Sequence, residues 1–488
     1  MRIFIVTEGG NSAGIGHITR CSSLYQAFEG KGIIPEFVIN GDETVKSLLK
    51  DKKYTIFDWL QEKERLYSLI KGADILFIDS YLAGLDFYNE VSGLVKTCVY
   101  IDDNNRFDYP NGIVLNGSIN AEDLSYSRKA GIVYLLGPAY MPLRREFQGI
   151  ADKAARESIS TVMVTFGGDD SRNMTPKVLR MLAESHPEFV KKVVIGHGFK
   201  NIEEIDGFKD KNTELILYPD AEEMKKVMLE SDVAISAGGQ TLYELARVGV
   251  PTLAIAVAEN QMNNIRGWDK AGFIKYAAWW EDDGTLENIS AGMNLLKDRH
   301  VRDHMCKAGR TLVDGKGAER TIKKVMRHHI ETSLVLRKAR MDDAYTLFEL
   351  SNDLEVRGNS FNPEKIEFED HKKWLAGKLQ DKNVLFLIAE ENNNLVGQVR
   401  FEMSEDEAVI SISIAKSYRG LGIGCSIINE ALSRLRLESP FIKVVKAYVK
   451  EQNTSSLNFF EKAGFKFMKK VIIKNQDAFE YHLINNGN

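Results

Sequence analysis

The segment Arg419-Gly420-Leu421-Gly422-Ile423-Gly424 joins an apolar strand-like run, residues 408–415, to a stretch with helical periodicity. Because glycine has no Cβ, the backbone here can approach a pyrophosphate closely. The N–H groups at the start of the following helix favour an anion, and Arg419 can add charge-assisted contacts. The segment therefore predicts an anion site, although on its own it could equally be a glycine-rich turn without a ligand.

A second glycine-rich segment, Glu8-Gly9-Gly10-Asn11-Ser12-Ala13-Gly14-Ile15-Gly16-His17, follows the first apolar run of the chain. His17 then stands at the start of a helix, at the carboxyl end of a strand. A histidine has an ordinary pKa of about 6.5, and the positively polarised helix start favours its neutral form. In that form His17 could take a proton from water or from an acceptor hydroxyl. Alternatively, it caps the helix or hydrogen-bonds a phosphate.

Two more strand-to-loop turns in the middle of the chain contain glycine pairs. One is Phe166-Gly167-Gly168-Asp169-Asp170, and the other is Ser236-Ala237-Gly238-Gly239-Gln240-Thr241-Leu242-Tyr243-Glu244. Glu244 falls about one turn inside a helix, where a carboxylate can accept hydrogen bonds from ribose hydroxyls. Each pair alone could be a plain tight turn, but several such turns at one edge favour a nucleotide site.

Short apolar runs alternate with longer amphipathic segments over the first two thirds of the chain, which predicts parallel sheets with crossover helices. The predicted strands are Arg2–Thr7, Ile34–Ile39, Ile75–Ile78, Thr97–Ile101, Ile113–Leu115, Ser160–Thr165, Lys192–Ile195, Glu214–Leu217, Val233–Ile235 and Thr252–Ile255. The series restarts near residue 155. We therefore predict two tandem Rossmann-like α/β domains, at residues 1–150 and 151–330, with a ligand cleft between them.

The pattern changes after Gly315-Lys316-Gly317, where a closing helix at Thr321–Ile330 precedes a different unit. Its order is strand, helix, helix, a hairpin-like strand pair, a strand, the helix after Arg419, and then strand, helix and a final strand pair. This order predicts an α+β domain at residues 334–488.

The composition of the chain indicates which kinds of binding partner are to be expected. The net charge of −5 gives no sign of a nucleic-acid-binding protein. The four cysteines show no metal-binding or paired spacing, which is typical of a reducing cytosol. We find no apolar run of about 18 residues and no signal-peptide layout. We therefore expect a cytoplasmic protein with no nucleic-acid partner, no membrane contact and no metal.

Five residues strengthen the interpretation of the Arg419 segment: Asn453, Ser456, Phe460, Gly464 and Phe465. Together with Arg-x-x-Gly-x-Gly, their spacing resembles that of the GNAT acetyltransferase superfamily, over roughly residues 334–470. The resemblance implies acetyl-CoA as co-substrate, held by the glycine loop and by Asn453. It also implies that pantetheine lies along the strand that contains Ile414.

One position departs from this family. Phe460 stands where many members have a tyrosine that protonates the leaving thiolate. Tyr448 and Glu451 are nearby candidates for the acid. Alternatively, positioning alone suffices, because an uncharged amine attacks a thioester readily once it is oriented.

The segment upstream resembles the acceptor side of nucleotide-sugar acetyltransferases. It includes Arg357, Asn359, His371 and Trp374. We attach Arg357 and Asn359 to substrate, and His371 could be a base for the amine. The other interpretation of His371 is a helix residue that faces solvent.

Residues 1 to about 315 resemble GT-B fold nucleotide-sugar enzymes, and more narrowly the UDP-sugar hydrolases of pseudaminic acid synthesis. The matching stretches are Gly14-Ile15-Gly16-His17-Ile18-Thr19-Arg20, Ile78-Asp79-Ser80-Tyr81, Ile101-Asp102-Asp103, Leu136-Gly137-Pro138-Ala139-Tyr140, Phe166-Gly167-Gly168-Asp169 and Glu259-Asn260-Gln261. The resemblance implies that UDP is cleaved from a diacetamido-trideoxy-altropyranose, without a metal.

The same resemblance implies roles for individual residues. His17, next to Gly16, would activate water, and Tyr81 would lie near the sugar. The diphosphate and ribose would be held by Gly239, Gln240, Thr241 and Glu244, with Gly167 and Gly168 on the same edge. Asn260, Gln261 and Asn264 would face the sugar.

The two resemblances together imply consecutive steps on one chain, N-acetylation of a UDP-4-amino sugar and then removal of UDP. Two alternatives stay open. One is a glycosyltransferase fused to an amino-sugar acetyltransferase. The other is a nucleotide-sugar-binding module attached to an acetyltransferase that targets protein N-termini.

Overall fold

The computed structural model describes residues 1–10, 14 and 16–485. The chain divides into two compact units, Met1–Val325 and Met326–Asn488. Unit 1 contains two sheets and unit 2 contains one. Within the described residues, every helix is too short or too polar to cross a membrane.

The first sheet of unit 1 is parallel throughout, in the order β3-β2-β1-β4-β5-β6-β7. Its strands are β1 (Ile3–Gly9), β2 (Glu36–Gly41), β3 (Tyr54–Ile56), β4 (Ile75–Asp79), β5 (Thr97–Ile101), β6 (Gly112–Asn116) and β7 (Ile132–Leu136). Its helices are α1 (Gly16–Glu29), α2 (Lys63–Ile70) and α3 (Leu85–Ser92). The strand order reverses between β1 and β4, which leaves a crevice at their carboxyl ends.

The second sheet of unit 1 is also parallel, in the order β10-β9-β8-β11-β12-β13. Its strands are β8 (Thr161–Thr165), β9 (Val190–Ile195), β10 (Thr213–Leu217), β11 (Val233–Ala237), β12 (Thr252–Ala256) and β13 (Ile274–Trp279). Its helices are α4 (Met174–Ser185), α5 (Ile202–Gly207), α6 (Ala221–Glu230), α7 (Thr241–Val248), α8 (Met262–Lys270), α9 (Thr285–Leu295) and α10 (Arg299–Leu312). Here the order reverses between β8 and β11.

Unit 2 is built on a mixed sheet in the order β14-β15-β16-β17-β18-β20-β19. Its strands are β14 (Leu334–Lys338), β15 (Val384–Glu391), β16 (Asn394–Ser404), β17 (Glu407–Ile414), β18 (Val444–Lys450), β19 (Lys466–Ile473) and β20 (Gln476–Ile484). Its helices are α12 (Ala344–Asn352), α13 (Leu354–Asn359), α14 (Phe368–Gln380), α15 (Gly424–Glu438) and α16 (Thr454–Lys462). Helix α11 (Gly317–Ser333) contains the boundary between the units.

Strands β17 and β18 separate soon after they meet. They are parallel neighbours, but they pair only where Glu407–Val409 faces Val444–Lys446. The remainder of β17 pairs with β16 alone. The backbone groups of residues 410–413 that face β18 therefore have no strand partner there, and such an edge presents N–H and C=O groups to a ligand.

The predicted fold class is confirmed: two parallel Rossmann-like sheets precede an α+β unit. Burial explains why the central strands could be found, since every residue of β1 and β4 is buried, as in a sheet covered on both faces. The prediction omitted β3, β7 and β13 and one of the three helices between β14 and β15. The predicted domain boundaries stay predictions.

Candidate active sites

The crevice between β1 and β4 brings together the first two residues of interest. His17 is the second residue of α1, and Asp79 is the last residue of β4. The Nδ1 atom of His17 lies 2.8 Å from Oδ1 of Asp79, and both side chains are buried. This pairing depends on β4 being the neighbour of β1, which places their carboxyl ends side by side.

Arg20, one turn after His17, fixes the charge of Asp79. Its Nε and Nη2 groups each donate a hydrogen bond of 2.5 Å to the Asp79 carboxylate, and its Nη1 group pairs with Asp103. Burial alone would raise the pKa of Asp79. The charge of Arg20, followed by that of His17, outweighs burial and holds this pKa well below its usual range.

The protonation of His17 follows from this partner. An ionised carboxylate can only accept hydrogen bonds, so Nδ1 of His17 carries the proton it donates to Asp79. In the neutral ring, Nε2 is then the unprotonated nitrogen and can accept a proton. The sequence placed His17 correctly at a helix start but missed Asp79. The available signal was a carboxylate that directly follows a buried strand.

Tyr81 packs beside this pair. Its ring meets the His17 imidazole edge-on, with centroids 4.8 Å apart, and its hydroxyl lies 3.3 Å from Oδ2 of Asp103. Burial, followed by the charge of Asp103, raises the pKa of Tyr81 to about 12. The buried Glu8 accepts a hydrogen bond of 2.7 Å from the Tyr81 N–H group, which holds the turn that carries this ring.

The glycine loop before His17 is only partly described. The backbones of Gly10 and Gly14 exchange hydrogen bonds of 3.0 and 2.9 Å. Gly16 is exposed at the start of α1. Asn11, Ser12, Ala13 and Ile15 of the predicted segment lie outside the described residues.

The second sheet gathers its glycine turns at the β8/β11 reversal. Gly167 and Gly168 follow β8, and Gly167 has a φ of 79° that an L-residue rarely adopts. Gly239 follows β11, and a side chain added there would meet no atom within 4 Å. Helix α7 then starts at Thr241, and its N-cap residue, Gln240, makes no side-chain capping bond. These turns share one edge of the sheet, whereas their role in binding a nucleotide stays a prediction.

Three polar residues at this edge already have protein partners. Glu244 is buried, and its Oε1 atom lies 2.7 Å from Nη2 of Arg144. Burial raises the pKa of Glu244, and Arg144 opposes that effect. Gln261 accepts a hydrogen bond of 3.1 Å from the Gly238 N–H group, and Asn264 donates a hydrogen bond of 2.7 Å to the Gly238 carbonyl.

Gln261 and Asn264 therefore hold the loop that follows β11, residues 238–240, through the N–H and the carbonyl of Gly238. Asn260, beside Gln261, is exposed. The orientation of all three residues toward a sugar stays a prediction. Arg144, which the sequence did not single out, supplies the cation nearest to Glu244.

Unit 2 contains a cavity of about 1090 Å³. All the residues predicted to bind acetyl-CoA or its acceptor line it: Arg357, Asn359, His371, Ile414, Arg419, Gly420, Gly422, Ile423, Gly424, Tyr448 and Asn453. The cavity includes the place where β17 and β18 separate, since both strands contribute to its lining. Residues from opposite ends of the unit are thus brought to one site, whereas their individual roles stay predictions.

The glycine loop has the geometry that its sequence predicts. Gly420 and Gly422 have φ angles of 73° and 87°, which favour glycine strongly. Helix α15 begins at Gly424 without a side-chain cap, so its first N–H groups stay available to an anion.

Arg419 itself is engaged by the protein. Its Nη2 lies 2.7 Å from Asp353, its Nη1 lies 2.9 Å from Glu355, and its Nε donates to the Ile414 carbonyl. The predicted charge-assisted contact with a ligand would therefore compete with two carboxylates. Arg327, which the sequence did not identify, lies nearby: its Nη1 is 3.4 Å from where a Cβ on Gly422 would be.

The residues considered for the missing acid lie in different places. Tyr448 and Phe460 line the cavity, whereas Glu451 pairs with Lys470 at 2.7 Å outside that lining. Burial, followed by the charge of Glu480, raises the pKa of Tyr448. Asn453 caps α16 by accepting a hydrogen bond of 3.1 Å from Ser456.

The solvent-facing interpretation of His371 is wrong. The residue is only 2% exposed, between the rings of Phe348 and Trp374. Its Nε2 atom is buried without a hydrogen-bond partner. Burial, followed by the charge of Arg357, lowers its pKa. Trp374 is on the same helix, but Phe348 belongs to α12, so helical periodicity alone did not show the burial.

Within residues 1–10, 14 and 16–485, no group of three or more histidine, cysteine, aspartate or glutamate residues is arranged to hold a metal ion.

Two parts of the chain match known families. Residues 333–466 match the acetyltransferase (GNAT) domain, and residues 161–282 match the glycosyltransferase family 28 C-terminal domain. The chain therefore carries a C-terminal GNAT acetyltransferase domain after a module that resembles glycosyltransferases. Both predicted resemblances are confirmed at this level.

Curated relatives extend the similarity over nearly the whole chain. An uncharacterized protein of Methanocaldococcus jannaschii is 24% identical over 96% of this chain and 98% of its own length. Spore coat polysaccharide biosynthesis protein SpsG of Bacillus subtilis is 26% identical, over 65% of this chain and 95% of its length.

A third relative has a name that includes a UDP-sugar hydrolase. It is the pseudaminic acid cytidylyltransferase and UDP-2,4-diacetamido-2,4,6-trideoxy-beta-L-altropyranose hydrolase of Helicobacter pylori, 25% identical over 58% of this chain. This chain spans half the length of that protein.

Solved structures resemble part of the chain. A spermidine N-acetyltransferase from Vibrio cholerae in complex with CoA and spermine covers 32% of this chain and 96% of its own, with 20% identity and a TM-score of 0.29. A dodecameric form of the Vibrio cholerae enzyme gives 22% identity and a TM-score of 0.28, over 32% of this chain and 95% of that one.

Proposed function

We propose that the chain is a bifunctional enzyme of pseudaminic acid biosynthesis. Unit 2 transfers an acetyl group from acetyl-CoA to N4 of UDP-4-amino-4,6-dideoxy-N-acetyl-β-L-altrosamine. Unit 1 then hydrolyses the product to UDP and 2,4-diacetamido-2,4,6-trideoxy-L-altropyranose. No metal is required in this scheme. We place both reactions in the cytoplasm, consistent with four free cysteines.

The observation that carries the hydrolase part is the His17–Asp79 pair at the β1/β4 crevice. It supplies a histidine base that is oriented by an ionised carboxylate, next to an aromatic residue, Tyr81. The similarity to the Helicobacter pylori protein supports UDP-sugar hydrolysis as its use. The GNAT match supports acetyl-CoA as the co-substrate of unit 2.

In the hydrolysis step, Nε2 of His17 accepts a proton from water as that water attacks the anomeric carbon. The bond from this carbon to the UDP oxygen breaks, and UDP leaves with its electron pair, with inversion. The imidazolium that forms is stabilised by Asp79, in the way a buried carboxylate supports a histidine base. Backbone N–H groups of the β11 loop at Gly239 and Gln240 would stabilise the leaving diphosphate.

In the acetyl-transfer step, the open edge of β17 orients the thioester and the acceptor amine attacks its carbonyl carbon. The amine nitrogen loses a proton, and the thiolate of CoA leaves and is protonated. The neutral imidazole of His371 is suited to take the amine proton, because its lowered pKa keeps it unprotonated near neutral pH. Tyr448 is suited to protonate the thiolate.

A product assay tests this function. The full chain is incubated with acetyl-CoA and the UDP-4-amino sugar of altro configuration, with the gluco isomer in parallel, and products are followed by NMR. Release of both CoA and UDP from the altro substrate is expected. If either product fails to appear, the bifunctional assignment is wrong.

Replacement of the base separates the two steps. His17→Ala should lower UDP release by about 10²–10⁴-fold, while CoA release continues and the acetylated UDP-sugar accumulates. Hydrolysis at the wild-type rate in this variant would remove His17 from the mechanism.

The match of residues 161–282 to glycosyltransferase family 28 favours one other candidate, in which unit 1 transfers the sugar to an acceptor hydroxyl. His17 would then deprotonate that hydroxyl instead of water. Adding sugar acceptors to the assay decides between the two. Transfer to an acceptor in preference to water would favour the glycosyltransferase.

A further inference from the structure

We propose that the part of the unit 2 cavity lined by Arg357, Asn359, His371 and Lys450, called the acceptor half below, contains a subsite for the acceptor's phosphate groups. Arg357 and Lys450 form this subsite. The proposal rests on the function proposed above and makes it more specific. The acetyltransferase would recognise its substrate through the nucleoside diphosphate as well as through the amino sugar.

Lys450, the last residue of β18, is the first of the two cations. It lines the cavity and is only 5% exposed. Its ammonium group donates a hydrogen bond of 3.0 Å to the Gly358 carbonyl. Among the described residues no carboxylate lies within ion-pair distance of it. Burying an unpaired charge is costly, so a buried lysine at a cavity wall predicts an anionic ligand.

Arg357, in α13, is the second cation. Its Nη1 group donates to the carbonyls of Asn362 and Glu364 at 3.1 and 3.3 Å. Its Nε atom is buried without a hydrogen-bond partner, and within the described residues it too forms no ion pair. Lys450 donates to the carbonyl of Gly358, the residue after Arg357, so both cations are held by backbone carbonyls of the short segment 358–364.

His371 lines the same cavity as Arg357 and Lys450. The charge of Arg357 contributes to lowering the pKa of His371. A neutral imidazole leaves the positive charge of Arg357 uncompensated. After Nε of Arg357, Nε2 of His371 is the second buried polar atom in this half of the cavity that has no hydrogen-bond partner. Buried polar groups are normally hydrogen-bonded, so each such atom indicates a missing partner.

The other charged residues of the lining do not cancel this charge. Arg400 pairs with Glu402 at 2.9 Å, and Glu355 pairs with Arg419. The remaining carboxylate is Asp370, which is exposed at the start of α14. The acceptor half therefore has net positive charge, which favours a phosphate ester and repels a polycationic amine.

The test uses the full chain with His17→Ala, so that the UDP-sugar is not consumed. Acetylation is measured for two acceptors, the UDP-linked 4-amino sugar and its uncharged methyl glycoside. Lys450→Met should raise KM for the UDP-linked acceptor by roughly 10- to 100-fold, the worth of one hydrogen bond to a charged group. The value of kcat/KM for the methyl glycoside should change by less than about twofold, because that acceptor lacks the phosphates.

Two further variants distinguish loss of the Lys450 charge from a general disturbance of the structure. Lys446→Met makes the same change four residues earlier on β18, where the ammonium pairs with Glu407 outside the cavity lining, and it should leave both acceptors unaffected. Lys450→Arg retains the charge and should restore most of the affinity for the UDP-linked acceptor. UDP at saturating acetyl-CoA should inhibit acetylation of the methyl glycoside in Lys450→Arg but much less in Lys450→Met.

The outcomes are separable. Equal losses for both acceptors in Lys450→Met, or no loss for either, would overturn the phosphate subsite while leaving the acetyltransferase proposal standing. A different outcome would overturn both the phosphate subsite and the proposed function. In it, the chain with Lys450 intact acetylates the methyl glycoside, is not inhibited by UDP and does not acetylate the UDP-linked acceptor.

Discussion

Nδ1 of His17 lies 2.8 Å from Oδ1 of Asp79, although the two residues are 62 positions apart in the chain. Arg20 keeps the carboxylate ionised, so Asp79 acts as an acceptor and sets which nitrogen of His17 carries the proton. The orientation of the predicted base therefore depends on a residue outside the glycine-rich segment that introduced it.

Asp79→Asn should lower UDP release strongly. An asparagine can present an N–H group to Nδ1, which would shift the imidazole proton to Nε2 and leave no base there. By analogy with the serine protease triad, whose aspartate plays this part, the expected loss is about 10²–10⁴-fold. UDP release is measured at saturating UDP-sugar.

Asp103→Asn is the matched control for that change. It removes the other carboxylate that pairs with Arg20 but leaves the His17–Asp79 bond in place. We expect a much smaller loss, and acetyl transfer should be normal in both variants. Equal losses in the two variants would mean that charge around Arg20, and not the orientation of His17, governs the rate.

Acetyl transfer should depend on pH through His371. Burial and the charge of Arg357 lower its pKa from the ordinary value near 6.5. The neutral, proton-accepting form then persists as pH falls through 6.5, and the rate should decline only at lower pH. His371→Gln, which keeps hydrogen-bonding capacity without this titration, should reduce kcat and abolish the acidic limb.

The profile is measured as kcat for CoA release between pH 5 and pH 8, with the His17→Ala chain. An unchanged acidic limb in His371→Gln would assign that titration to another group, such as the substrate amine. A limb centred above pH 6.5 would contradict the direction of the shift.

Features that lie close together in sequence could be predicted. Gly420, Gly422 and the start of α15 form one continuous strand-to-helix junction, and local backbone chemistry is enough to identify it. Buried central strands such as β1 and β4 were found because apolar residues dominate runs that are covered on both faces.

Features that depend on sheet order or on packing could not be predicted. Asp79 reaches His17 only because β4 lies beside β1. Arg419 pairs with Asp353 and Glu355, more than 60 positions earlier, so its sequence position gave no sign that its charge is used. Strand β13 was missed because it lies at a sheet edge and is only partly buried, which weakens the apolar pattern.

Gly422→Ala should weaken acetyl-CoA binding. The φ of 87° at Gly422 disfavours any residue with a Cβ, so the loop must rearrange to accept alanine. A cost of about 1–2 kcal/mol in the left-handed region corresponds to roughly a 5- to 30-fold increase in KM for acetyl-CoA. Initial rates at varied acetyl-CoA and saturating acceptor measure it.

Gly377→Ala is the control for that substitution. Gly377 lies inside α14 and is exposed, with no atom within 4 Å of an added Cβ. Alanine should be tolerated there and should favour the helix by up to about 1 kcal/mol. If both alanine variants leave KM for acetyl-CoA unchanged, the conformation of the 420–424 loop does not govern coenzyme binding.

Tyr448→Phe should slow acetyl transfer if this hydroxyl protonates the departing thiolate. Tyr448 lines the cavity near the point where β17 and β18 separate, and its raised pKa keeps it protonated across the neutral range. General acid catalysis typically increases a rate by about 10²–10⁴-fold. Because a thiolate is a good leaving group, we expect kcat to fall by about 10²-fold, the lower end of that range.

A compensating change makes this prediction specific. Phe460 also lines the cavity, at the position where the resemblance to GNAT acetyltransferases implies a tyrosine, and it packs against Phe459 and Phe465 with ring centroids 5.1 Å away. Adding Phe460→Tyr to Tyr448→Phe should therefore recover a substantial part of kcat. Rates of CoA release are compared for the single and double variants. A Tyr448→Phe chain with unchanged kcat, and no gain from Phe460→Tyr in either background, would leave catalysis to the positioning of the amine against the thioester.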